Sequence, residues 1–157
     1  MVILPQLNVS LEQVIDIALK HHQDGQLADA EKAYRQALAI NPDYAAIYIN
    51  LGNVLYELGR FEEAQTAYRQ AIRIEPDHAM AHCNLGNLFH AIGNRNESEA
   101  AYRQAIDSKP DYPEAHFNLG NLLYDSSRFP EAIESYSKAI FHKPAYVEAH
   151  NNSASSG

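Results

Sequence analysis

The sequence predicts an all-α chain, a stack of about four helical hairpins, and three observations predict it. Proline recurs every 34 residues, at Pro42, Pro76, Pro110 and Pro144. Tyr34, Tyr68, Tyr102 and Tyr136 keep the same spacing, as do Ala37, Ala71, Ala105 and Ala139. With proline at repeat position 32, the units are 11–44, 45–78, 79–112 and 113–146, and the second and third share 15 of 34 residues without gaps. A fixed period of this length marks an array of supersecondary units.

Each element follows from local signals. Residues 1–10 form a lead-in, and Ser10-Leu-Glu-Gln13 is a capping-box pattern that starts the first helix. Every unit then reads as a helix over positions 1–14, broken by glycine at position 15 (Gly25, Gly59, Gly93) with Ser127 standing in within the fourth. A second helix runs to the residue before proline, where the pre-proline restriction ends it. Asp43, Asp77 and Asp111 follow the prolines and are expected to cap the next helix. Gly52, Gly86 and Gly120 at position 8, with Ala18, and Ala30, Ala64 and Ala132 at position 20, with Ser98, are expected to mark a close crossing inside each hairpin. Glycine inside a helix costs about 1 kcal/mol relative to alanine, so three at one position need a packing reason.

Residues 147–152 repeat the opening of a unit (compare Val147-Glu-Ala-His-Asn-Asn with Pro113-Glu-Ala-His-Phe-Asn) and read as a truncated fifth repeat. Residues 153–157 read as a tail or as residues left by cloning. The expectation is a piece of a larger protein.

Composition narrows the function. The 157 residues are 46% hydrophobic with a formal net charge of −8, from 20 acidic and 12 basic side chains. That is a folded chain, and without a Lys/Arg cluster nucleic acid is a poor partner. No apolar run reaches the roughly 18 residues of a membrane span, and the N-terminus lacks a charged signal-peptide region. No membrane association is therefore expected, and the expected address is cytoplasmic. Cys83 is the only cysteine, which excludes an intrachain disulfide and a Cys-rich zinc site.

The small-residue set, with Tyr at 24, Ala at 27 and Pro at 32, resembles the tetratricopeptide repeat (TPR) family over residues 11–146. The resemblance implies hairpins stacked into a right-handed superhelical solenoid whose concave face is lined by first helices. The aromatic usual at position 4 is here Val14, Tyr48, His82 and His116, a local departure.

Candidate chemistry is sparse. His82, His116 and His150 share position 4, but packed helices stand about 8–10 Å apart while zinc needs nitrogen at about 2.1 Å. His78 and His82 have i, i+4 spacing without an evident third ligand. His21 and His22 are neighbours that do not share a helix face. Cys83 occupies an apolar position, equivalent to Ile15, Ile49 and Phe117, and no phosphate loop or hydrolase motif occurs. No catalytic residue, metal or cofactor is expected; the chain is read as a non-enzyme. Ala-Tyr-Arg-Gln-Ala occurs three times, and Glu31 and Glu99 stand four residues before Arg35 and Arg103, a spacing that suits a solvated helix surface.

The asparagines carry the functional signal. Asn50, Asn84, Asn118 and Asn152 share position 6; Asn53, Asn87 and Asn121 share position 9. Asparagine is a mediocre helix former, and the i, i+3 spacing puts both rows on one face. Each amide offers two donors and an acceptor, the complement of a peptide group. Tyr56 and Tyr124 at position 12 and Phe117 at position 5 flank them. The expected peptide-binding set is Asn50, Asn53, Tyr56, Asn84, Asn87, Phe117, Asn118, Asn121 and Tyr124. These rows resemble the TPR arm of O-linked N-acetylglucosamine transferases, which implies a recognition arm of a glycosyltransferase as one alternative. Another alternative is a self-associating scaffold, joined weakly through its C-terminal repeat, whose apolar face would be uncovered. Six first-helix positions (2, 5, 6, 9, 12 and 13) carry no Lys or Arg but five acids, Glu12, Asp16, Glu57, Glu114 and Asp125. A neutral or basic protein partner is expected, and an acidic tail is not.

Overall fold

Ser10 starts the first helix as its sequence pattern predicts. The Ser10 hydroxyl accepts from the Gln13 backbone N–H at 3.2 Å, and the Gln13 side chain accepts from the Ser10 N–H at 2.9 Å. A computed structural model describes residues 8–146, which fall into two compact units divided after Ile74. The truncated repeat and the tail expected from 147 onward lie outside the described residues.

The first unit holds α1 (Leu11–Gln23), α2 (Leu27–Ile40), α3 (Ala45–Glu57) and α4 (Phe61–Ile74), and each helix packs on the next. The second repeats the plan with α5 (Ala79–Ala91), α6 (Arg95–Ser108), α7 (Pro113–Asp125) and α8 (Phe129–His142). Every described regular element is helical, as a helical repeat requires.

The aspartates after each proline do not cap, contrary to expectation. Tyr44, His78 and Tyr112 occupy the N-cap position, with no side-chain cap bond. The tight turn after proline uses one residue more than a cap at Asp43, Asp77 or Asp111 would leave. Proline at N1 suits α7, because its missing N–H would have had no helical partner.

The hairpin turns match the sequence. Gly25, Gly59 and Gly93 have φ of +74°, +75° and +81°, and Ser127 takes the same left-handed region at 59°. That conformation costs a side-chain-bearing residue about 1–2 kcal/mol. Ser127→Gly removes the cost and adds back less than about 1 kcal/mol of unfolded-chain entropy. The urea midpoint of that variant is expected to rise; a fall rejects the strain.

The predicted close crossing takes a definite form: a tyrosine ring lies on each glycine. A Cβ on Gly52 would meet Tyr68 Cε1 at 2.5 Å, and one on Gly86 or Gly120 would meet the ring of Tyr102 or Tyr136 at 2.7 Å. Tyr68 and Tyr102 are fully buried in this way, and Tyr34, whose unit has Ala18 at position 8, is fully buried as well. In the third hairpin the small residue at position 20 is Ser98, fully buried, whose hydroxyl donates to the Gly86 carbonyl at 2.8 Å. A buried hydroxyl is tolerated because it has this partner.

Candidate functional site

The ring-on-glycine packing places each tyrosine hydroxyl beside a position-9 asparagine. Tyr68 donates to Asn53 Oδ1 at 2.7 Å in the first unit. In the second unit Tyr102 donates to Asn87 Oδ1 and Tyr136 to Asn121 Oδ1, each at 2.6 Å. Asn118 on α7 adds a second bond to the same Asn87 oxygen, Nδ2 to Oδ1 at 3.0 Å. The two asparagine rows therefore meet directly between α5 and α7.

The described row asparagines, Asn50, Asn84 and Asn118 at position 6 and Asn53, Asn87 and Asn121 at position 9, are all half-buried. Tyr56 is half-buried and meets Phe61 edge-on at 5.4 Å; Tyr124, 58% exposed, meets Phe129 likewise at 5.3 Å. Phe117 instead packs between Tyr136 and Tyr146, at 5.7 and 5.8 Å. Asn152 lies outside the described residues.

Two carboxylates at position 13 are held by histidines of the preceding first helix. His22 Nε2 lies 2.7 Å from Glu57 Oε1 in the first unit, and His90 Nε2 lies 3.1 Å from Asp125 Oδ2 in the second. Sequence reasoning missed these pairs, and it missed Arg60 and Arg128. Arg60 bonds Glu63 and reaches across to Glu31 at 2.6 Å; Arg128 bonds Glu131 and reaches Glu99 at 2.6 Å. The guanidinium of Arg128 holds the carboxyls of Glu99 and Glu131 below the usual range, as Arg60 does for Glu63. A second periodicity, of 68 residues, could have revealed both. Position 12 alternates His22, Tyr56, His90, Tyr124, and position 16 alternates Gln26, Arg60, Asn94, Arg128.

Two further histidines have backbone partners. His82 and His116 donate from Nε2 to the Pro76 and Pro110 carbonyls at 2.8 Å; a carbonyl only accepts, which fixes the tautomer. Cys83 is fully buried, and burial, with the charge of Glu114, pushes its thiol up to about 12. At neutral pH that sulfur is a thiol, not a thiolate.

A separate cavity of about 220 Å³ opens between α6 and α8, lined by His116, Leu119, Leu123, Arg103 and Lys138 among others. At 100° per residue, positions 4, 7 and 11 of α7 lie opposite positions 6 and 9, so it does not belong to the asparagine face.

His116 is expected to make the second unit pH-sensitive. Burial lowers its pKa, and the positive charges of His142 and Lys138 add to this, against the Pro110 bond. His142 stacks on its ring at 5.5 Å. A folded pKa below the unfolded value, about 6.5, means that the unfolded chain binds the proton first. Stability is then fully present above that value and is lost as pH falls through it. His116→Tyr, which installs the residue found at Tyr48, is expected to flatten the pH dependence of melting below about pH 7. An unchanged slope rejects this assignment.

Known families match along the chain. A model described as TPR repeat matches residues 18–59 and 52–93, and one described as tetratricopeptide repeat matches 83–147. A thermophilic TPR protein of Thermus thermophilus, TTC0263, superposes with a TM-score of 0.79 at 26% identity, covering 96% of this chain and 81% of that one. The crystal structure of MamA gives 0.79 at 20% identity, covering 89% and 82%; MamA 41-end from Desulfovibrio magneticus RS-1 gives 0.77 at 17%, covering 88% and 78%. Comparison with curated proteins gives no match. Among the described residues no helix is long and apolar enough to cross a membrane.

Proposed function

Because this chain belongs to the tetratricopeptide repeat family, a family of protein-binding scaffolds, we propose that it holds an extended partner segment on the first-helix faces of its units. Asn50, Asn53 and Tyr56 form the surface in the first unit; Asn84, Asn87, Asn118, Asn121 and Tyr124 form it in the second. Phe117 supports the surface from within. The module is a non-enzyme, placed in the cytoplasm, where its single buried thiol stays reduced.

One observation carries the reading. Asn87 and Asn118 join in one hydrogen-bonded pair, half-buried, on a face without lysine or arginine. Amides so arranged match a peptide backbone whatever its side chains. The carboxylates Glu57, Glu114 and Asp125 favour a neutral or basic segment over an acidic one.

Alanine at Asn84 and Asn118, the position-6 pair, tests the reading while leaving the tyrosine bonds to Asn53, Asn87 and Asn121 in place. Each lost bond is worth about 0.5–1.5 kcal/mol, so the double variant is expected to bind a validated partner about tenfold more weakly while staying folded. Unchanged affinity rejects the groove.

A second reading rests on α8, where Ile133 is 65% exposed and Phe141 82%. Self-association through that face would appear as a concentration-dependent mass in analytical ultracentrifugation, abolished by Ile133→Glu. A monomer at every concentration rejects it.

A further inference from the structure

The position-9 oxygens of the second unit are occupied from inside the protein. Asn87 Oδ1 accepts two bonds, from the Tyr102 hydroxyl at 2.6 Å and from Asn118 Nδ2 at 3.0 Å, which uses both lone pairs. Asn121 Oδ1 accepts from the Tyr136 hydroxyl at 2.6 Å. Each tyrosine is itself held by its ring on Gly86 or Gly120, so the hydroxyl cannot move away. An amide whose oxygen is bound on one side must turn its NH₂ to the other. Asn118, having given Nδ2 to Asn87, turns its oxygen outward in the same way.

We infer that Tyr102 and Tyr136 are positioning residues that set the hydrogen-bond polarity of this face: Asn87 offers only donors, Asn121 turns its donors outward, and what they take is the backbone carbonyl oxygens of an extended polypeptide. Asn118 offers the acceptor for a backbone N–H. The inference rests on the groove reading above and adds a direction to it. An aspartate in place of Asn87 would keep the size and both accepted bonds and would replace the outward donors by a negatively charged acceptor. A face built to meet carbonyls must therefore carry Asn at position 9, whereas one built only to satisfy tyrosine could carry Asp.

The test uses the full chain and a neutral probe, an N-acetylated, C-amidated twelve-residue peptide of Gly, Ser, Thr and Val, followed by side-chain amide ¹H–¹⁵N spectra. For the wild type, the NH₂ signals of Asn87 and Asn121 are expected to shift on titration. Asn87→Asp is expected to stay folded and to bind at least tenfold more weakly. Tyr102→Phe is expected to remain folded, to weaken binding and to lose the Asn87 signal change, which a purely structural tyrosine would leave in place. If the wild type binds and Asn87→Asp binds equally well, the polarity is wrong while the groove stands. If the wild type shows no shift at any asparagine, the groove reading and this inference fall together.

Discussion

Gly86→Val is expected to destabilise the protein by about 3 kcal/mol, near the upper end for overpacking. A Cβ at Gly86 would lie 2.7 Å from Cδ1 and Cε1 of Tyr102, and that ring is buried to 1% exposure with nowhere to retreat. Valine gains some helix propensity over glycine, a fraction of about 1 kcal/mol, far less than the clash. Urea unfolding of Gly86→Val beside Gly93→Ala separates packing from backbone effects. Gly93 has open space at its Cβ, and only its φ of +81° resists alanine. Combining Gly86→Ala with Tyr102→Leu should restore part of the loss, because contacting residues are not additive. A loss below about 1 kcal/mol for Gly86→Val would show that the hairpin opens to accommodate it.

The second expectation is a difference in sign between two identical substitutions. Tyr102→Phe removes the donor to Asn87 and is expected to cost about 1 kcal/mol. Tyr34→Phe is expected to cost nothing or to stabilise. Its hydroxyl is buried without a hydrogen-bond partner among the described residues, because position 9 of the first unit is Leu19. Burying an unpaired hydroxyl costs about 1–3 kcal/mol on mutational evidence, and phenylalanine removes that cost. Chemical denaturation of both variants decides the matter. Equal losses would mean that the Tyr–Asn bonds add nothing to stability.

The same tyrosines show where sequence reading runs out on the site. The asparagine rows are visible as rows, since i, i+3 spacing on a helix is local geometry. That one row leans on tyrosine hydroxyls is not visible, although the tyrosine recurs in all four units and the asparagine in the last three. Consequently alanine at position 9 removes the acceptor of a tyrosine hydroxyl and tests stability as well as binding. The expected aspartate caps miss by one residue, whereas Ser127 takes the place of glycine as the repeat alignment indicates.

What the sequence by itself determined is the hairpin: start at Ser10, left-handed turns at Gly25, Gly59, Gly93 and Ser127, ends before each proline, and a small residue where helices cross. These are consequences of backbone sterics and of hydrogen bonds spanning a few residues, and every unit states them again. Only the tertiary structure decided which polar groups pair across helices: Tyr102 with Asn87 fifteen residues earlier, Arg128 with Glu99 twenty-nine earlier, Asn118 with Asn87 thirty-one earlier. Such pairs depend on how helix faces are rotated against each other. That rotation is set by the seating of bulky rings on glycines, which a one-dimensional pattern locates but does not orient.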